Sequence, residues 1–219
     1  MVWDQQDYNG LINATKQNIG QISLQSDLGK NIYKYAIDDN YSTFLEIGTW
    51  NGLGSTKCFI EGFKNRTSPF VFYSLECNSE KSQSAQKLYK DISNVHILNE
   101  VLFNYIPDDL YNIFPILTKD ETYKYWNTID FENMKDKQLF LNRTDIPDIF
   151  DIIVLDGGEF TTWYEYNLIK DKCKILLLDD VNTYKCQQIA NEIKNDIHKW
   201  EIVLESNERN GILIAKRKF

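Results

Sequence analysis

Several features are missing from this chain of 219 residues, and each absence removes a class of function. No apolar run approaches the roughly 20 residues of a membrane span. The first residues, MVWDQQDYNG, are polar and lack the apolar stretch of a secretory signal, so a cytoplasmic protein with no membrane partner is expected. An excess of positive charge is also missing: the formal net charge is −8. Proteins that grip phosphate backbones usually carry a basic surface, which argues against a nucleic-acid partner. Of the four cysteines, Cys58, Cys77, Cys173 and Cys186, none forms a C-x-x-C pair, and they read as free thiols in a reducing compartment. Internal repeats and low-complexity stretches are missing too.

What is present is an alternation of apolar strands and amphipathic helices. The first forty residues read as helices, the clearest running from Leu24 to Ile37 with Asp27 as cap and Leu28, Ile32, Tyr33 and Tyr35 near one face. Candidate strands follow at Thr43–Ile47, Phe70–Leu75, Val95–Leu98, Asp151–Leu155, Lys174–Leu178, Trp200–Glu205 and Gly211–Lys216. Between them lie helical stretches at Ser55–Lys64, Lys81–Asp91, Thr161–Lys170 and Tyr184–His198. Runs such as Ile152-Ile153-Val154-Leu155 and Ile175-Leu176-Leu177-Leu178 read as strands buried on both faces of a parallel sheet. Only Ser206–Asn210 separates the last two strands, too short for a crossover helix, so the last strand runs antiparallel. The expected fold is α/β: a doubly wound, seven-stranded, mostly parallel sheet with an antiparallel last strand, in a single domain spanning residues 1–219.

Residues Phe103 to Phe150 break this rhythm. They join the third and fourth strands, where a short helix would suffice, and are rich in Tyr105, Tyr111, Phe114, Tyr123, Tyr125, Trp126 and Phe131. An insertion of this kind builds a substrate pocket or lid, or alternatively a dimerisation surface for a homodimer.

The first strand, Thr43-Phe44-Leu45-Glu46-Ile47, runs into Gly48-Thr49-Trp50-Asn51-Gly52-Leu53-Gly54, and a helix opens at Ser55. Glycines let the backbone turn tightly and approach a ligand. The spacing is not the G-x-G-x-x-G of dinucleotide binders. The second strand ends at Glu76-Cys77, 28 residues after Gly48, where a carboxylate can accept hydrogen bonds from both hydroxyls of a ribose. The third ends at Leu98-Asn99, which marks Asn99 for an adenine contact.

The fourth strand ends Leu155-Asp156-Gly157-Gly158-Glu159 and the fifth Leu178-Asp179-Asp180-Val181-Asn182. Adjacent parallel strands present their carboxyl ends on one edge, so Asp156, Asp179 and Asp180 converge. No Lys, Arg or His stands immediately beside them in sequence. Three close carboxylates repel one another, and hard oxygen donors suit Mg²⁺, Ca²⁺ or Mn²⁺. An alternative is that Asp179 or Asp180 caps the next helix.

The loop resembles the E-x-G-x-G-x-G motif of class I S-adenosylmethionine-dependent methyltransferases through Glu46, Gly48 and Gly52, with Trp50 in place of the middle glycine. A sheet of seven strands with the last reversed is the hallmark of that superfamily. The resemblance implies S-adenosylmethionine as cofactor, contacted by Glu46, Gly48, Thr49, Trp50, Asn51, Gly52, Ser55, Glu76, Cys77 and Asn99. The C-terminal half, through Asp156-Gly157 and Leu178-Asp179-Asp180 followed by Tyr184-Lys185-Cys186-Gln187-Gln188-Ile189, resembles the macrocin-type O-methyltransferases, which methylate sugar hydroxyls on macrolides. That resemblance implies a divalent metal, Mg²⁺ or Mn²⁺, on Asp156, Asp179 and Asp180, which binds two neighbouring hydroxyls of a glycan or small-molecule acceptor. Relatives with a histidine soon after the strand-four Asp-Gly are not followed here, because Glu159 and Phe160 occupy that region. Asp156 is therefore the expected base, with Glu159 as its alternative. Rival expectations are a metal-dependent phenol or catechol O-methyltransferase and an inactive partner subunit of the same fold.

Overall fold

The structure is a computed structural model that describes residues 20–219. The part of the expected N-terminal helices that falls on residues 1–19 lies outside the described residues.

Helix α1 spans Asp27–Ile37 and buries Leu28, Ile32, Tyr35 and Ala36. Its cap is Ser26 rather than Asp27. The Ser26 hydroxyl accepts the Gly29 N–H at 3.1 Å, while Asp27 sits in the first turn and takes the Ser206 hydroxyl at 2.7 Å. Strand β1 (Thr43–Ile47) leads into α2 (Ser55–Phe63), then β2 (Val71–Leu75), α3 (Ser79–Tyr89) and β3 (Val95–Leu98). After the intervening segment come β6 (Phe150–Leu155), α6 (Thr162–Ile169), β7 (Cys173–Leu178), α7 (Gln187–Asn195) and the hairpin β8 (Trp200–Ser206) and β9 (Ile212–Arg217).

The seven strands lie in the order β3-β2-β1-β6-β7-β9-β8. All pairings are parallel except those of β9, which runs antiparallel to both β7 and β8. The expected architecture is therefore the observed one. Strand β6 is buried along its whole length. Ile153 and Leu155 face one core layer, and Ile152 and Val154 the other. Period-two alternation produces this split once helices cover both faces of the sheet.

Strand register places the site. Ile47 pairs with Leu75 and with Leu155, and Leu155 pairs with Leu178. The next residues, Gly48, Glu76, Asp156 and Asp179, consequently emerge side by side on one sheet edge.

The segment between β3 and β6 is built, not loose. Strands β4 (Glu100–Val101) and β5 (Gln138–Leu139) form a short parallel ladder, with α4 (Leu110–Ile113) and the longer α5 (Glu121–Met134) between them. Asp120 caps α5, its carboxylate accepting the N–H groups of Thr122 and Tyr123 at 2.9 and 3.2 Å. Phe103, Leu110, Phe114, Leu117, Phe131 and Phe140 from this segment are buried in the main core.

Candidate active site

The turn after β1 is held by its backbone. Gly48 has φ +98°, and a Cβ there would lie 2.0 Å from the Asp156 carbonyl oxygen, so only glycine fits. The N–H groups of Gly48 and Thr49 both donate to the Leu75 carbonyl, at 3.0 and 3.1 Å. Trp50 has a left-handed backbone, with φ +51°. Its ring lies under the Lys81 ammonium, 4.8 Å away. Asn51 is buried and its side-chain oxygen accepts the Leu53 N–H at 3.1 Å. Beneath the turn, the fully buried Glu46 accepts hydrogen bonds from the hydroxyls of Thr56 and Ser74, and burial pushes its carboxyl up to about 7. Glu46 thus braces the loop from below.

Glu76 connects this turn to β2. One carboxylate oxygen accepts the Trp50 N–H at 2.6 Å and the other the Asn78 N–H at 2.8 Å. Burial raises its pKa to about 7. Asn99 has a different task from the one its position suggests. Its amide donates to the carbonyls of Glu76 and Cys77 at 2.7 and 3.0 Å, and its oxygen accepts the Lys137 ammonium at 2.6 Å. It fastens the end of β2, and the neighbouring Val101 and Leu102 line the cavity.

That cavity has a volume of about 360 Å³. At one end are Gly48, Thr49, Trp50, Ser55, Glu76 and Cys77; at the other are Asp156, Asp179 and Asp180. Asp130 and Met134 of α5 form part of its wall, so the inserted segment reaches the site. Gly157 and Gly158 make room there: a Cβ on Gly158 would lie 2.4 Å from an Asp130 oxygen, and one on Gly157 2.4 Å from a Glu165 oxygen. Burial pushes Asp130 up to about 6 and Glu165 up to about 8. Neither is visible as a site residue in the sequence, because each sits within a helix, Asp130 inside α5 and Glu165 in the first turn of α6, with no motif around it. Glu46, Asn51, Gly52, Asn99 and Glu159 are not on the cavity wall. Glu159 is buried, which raises its pKa against the opposing charge of Lys185.

The carboxylate cluster forms as expected: Asp156, Asp179 and Asp180 offer oxygens within 4.8 Å of one another. Two cations from elsewhere in the chain meet it. The Lys185 ammonium donates to Asp156 Oδ1 at 2.9 Å and to Asp180 Oδ2 at 2.7 Å. The Arg209 guanidinium donates to Asp179 Oδ2 at 3.1 Å and to Asp180 Oδ1 at 3.4 Å, and the Asn210 amide adds a bond to that same oxygen at 3.2 Å. Sequence adjacency hid both cations. Lys185 is five residues past Asp180, and Arg209 sits in the β8–β9 turn that only the antiparallel hairpin brings back. Burial raises Asp156 and Asp179 above the usual carboxylate range. Burial opposes the charge on Asp180 as well, but Lys185 and Arg209 hold it below that range. Asp179 Oδ1 is buried and has no hydrogen-bond partner.

No family model matches the chain, and no curated protein matches it. Solved structures do. An O-methyltransferase from Bacillus cereus in complex with SAH aligns with TM-score 0.58 and 13% identity, covering 100% of this chain and 93% of that one. The O-methyltransferase TomG from Streptomyces achromogenes, involved in tomaymycin synthesis and solved with SAM, aligns with TM-score 0.56 and 11% identity over 99% of this chain and 91% of its own. The fold is that of the class I methyltransferases. The SAH-bound methyltransferase PaMTH1 from Podospora anserina shares it, with TM-score 0.52, 12% identity and coverage of 100% and 98%. At such identities the likeness is one of fold. Among the described residues no helix is long and apolar enough to cross a membrane.

Proposed function

We propose that this chain is an S-adenosylmethionine-dependent O-methyltransferase whose acceptor is a sugar hydroxyl of a glycan or glycosylated metabolite. The observation that carries this reading is one continuous cavity with a buried carboxylate, Glu76, at one end and the Asp156–Asp179–Asp180 cluster at the other. Glu76 and the Gly48–Trp50 turn fit a nucleoside at the first end. Each Glu76 oxygen, beyond its bond to the Trp50 or Asn78 N–H, can accept a further hydrogen bond from a ribose hydroxyl, and Val101, Leu102 and Met134 give a base an apolar wall. When bound, the cofactor supplies an electrophilic methyl group and leaves as a thioether.

At the second end the residues fit a divalent cation, Mg²⁺ or Mn²⁺. The donors are hard oxygens, they converge, and Asp179 Oδ1 is an orphaned buried acceptor. Asp156, Asp179 and Asp180 would hold such an ion, which would polarise and orient acceptor hydroxyls. Asp156 takes the hydroxyl proton. Glu159 is the less suitable base, because it is off the cavity wall. The cytoplasm is the proposed setting, supported by four free thiols.

The test is a screen of glycosides and catechols with labelled cofactor, with and without EDTA. Transfer to a glycoside that stops in EDTA and returns with Mg²⁺ supports the reading. Transfer to catechols alone replaces the sugar with a phenol, and no transfer from any condition points to an inactive subunit of this fold.

A further inference from the structure

The cation position in the carboxylate cluster already has an occupant supplied by the chain. The Lys185 side chain is 12% exposed, and its ammonium spans Asp156 and Asp180, at 2.9 and 2.7 Å. Those are two of the three residues that converge as metal ligands. Arg209 covers the third from the other side through Asp179 Oδ2, yet leaves Asp179 Oδ1 without a partner. An ammonium and a divalent ion cannot share the same pair of oxygens at contact distance. Two charge-assisted hydrogen bonds in a buried place are strong, and breaking them without compensation is costly.

We propose that Lys185 is a built-in competitor for the metal: its ammonium closes the Asp156–Asp180 gap, and a divalent cation enters only by displacing it. The proposal rests on the metal reading above and concerns how tightly that site takes its ion. The displaced ammonium has somewhere to go. Asp130, Glu159 and Glu165 all lie within electrostatic reach of Lys185, and Asp130 and Glu165 line the same cavity as Lys185. Arg209 is a different kind of cation. Its guanidinium is anchored at 2.5 Å to the Gln21 side-chain oxygen and stays beside Asp179 when Lys185 leaves. With both cations in place the five side chains carry a formal charge of one negative unit. Without the Lys185 ammonium the three carboxylates face one cation, and a divalent ion is drawn in more strongly.

The experiment titrates Mn²⁺ into the full-length protein and reads the free aquo ion by electron paramagnetic resonance, for the wild type and for Lys185→Gln. Glutamine keeps much of the length of the side chain and removes its charge. The expected result is Mn²⁺ affinity at least about tenfold higher in Lys185→Gln, consistent with the strength of a charge-assisted hydrogen bond. Equal affinity in the two proteins overturns the proposal and leaves the metal reading standing. Failure of both proteins to bind Mn²⁺ at millimolar concentration overturns the proposal and the metal reading together. A second measurement uses the wild type alone, in case Lys185→Gln does not fold. Reductive methylation followed by mass spectrometry reads how fast Lys185 is labelled, with and without Mg²⁺. Labelling several-fold faster with Mg²⁺ supports displacement, and an unchanged rate at saturating Mg²⁺ overturns it.

Discussion

The backbone N–H of Trp50 donates to a carboxylate oxygen of Glu76 at 2.6 Å, and Trp50 holds a left-handed backbone, φ +51°, to do so. Left-handed geometry costs a residue with a Cβ about 1–2 kcal/mol. The Lys81 contact on the Trp50 ring returns about 0.5–1 kcal/mol. Trp50→Gly removes both terms and adds unfolded-state entropy, so its stability should stay near wild type. Trp50→Ala loses the ring but keeps the strain. Chemical denaturation should therefore find Trp50→Ala less stable than Trp50→Gly by about 1 kcal/mol. The reverse order would show that the left-handed backbone at position 50 carries no strain for glycine to relieve.

Glu76 ties the glycine-rich turn to the end of β2, at the end of the cavity proposed for the nucleoside. Glu76→Ala should weaken S-adenosylhomocysteine by about ten- to a hundredfold, the loss expected for hydrogen bonds to a charged group. Unchanged affinity by calorimetry would show that the ribose lies elsewhere.

The three aspartates should separate in mutant kinetics. EDTA should abolish turnover and leave cofactor binding nearly intact, and Mg²⁺ or Mn²⁺ should restore it. Asp156→Asn should lose more activity than Asp179→Asn, since it removes a base as well as a ligand. Asp180→Asn should also destabilise the fold, by about 3–5 kcal/mol, because it strips charge from the pocket that holds both Lys185 and Arg209. Full activity in EDTA would leave Asp156 as a metal-free base.

Several buried carboxyls titrate late in the folded protein: Glu46 and Glu76 at about 7, Asp130 at about 6 and Glu165 at about 8. In the unfolded chain they lose their protons near pH 4 to 4.5. Between those limits the folded state binds more protons than the unfolded one, so unfolding becomes easier as pH rises. Each group contributes up to about 1.4 kcal/mol per pH unit inside its window. The ligand-free protein should melt at its highest temperature near pH 5 and progressively lower toward pH 8. A melting temperature that climbs across that range would contradict the burial of these groups.

The parts that could be read from sequence are those with a period or a motif. Strands β6 and β7 stood out as unbroken apolar runs, and the short Ser206–Asn210 link announced the reversed last strand. The turn at Gly48 and the acid at Glu76 were legible because the register of parallel strands turns sequence spacing into adjacency. Helix α5 was not, since the positions it buries include Asn127 beside Phe131 and Met134, and its outer face carries Tyr125 and Ile129. Lys185 and Arg209 were missed for another reason. Lys185 reaches Asp156 across 29 residues and Arg209 reaches Asp179 across 30, separations that local spacing does not encode. The strand-end position of Asn99 suggests an adenine contact, whereas its amide donates to the backbone carbonyls of Glu76 and Cys77.

The proposed site of the nucleoside cofactor lies between the Gly48 turn and Glu76. Calorimetric titration of the full-length protein with S-adenosylhomocysteine, in EDTA so that no metal contributes, tests this most directly. The predicted result is one site of micromolar affinity that weakens at least tenfold in Glu76→Ala. No binding at millimolar ligand, in a wild-type protein shown to be folded by its thermal transition, would contradict it.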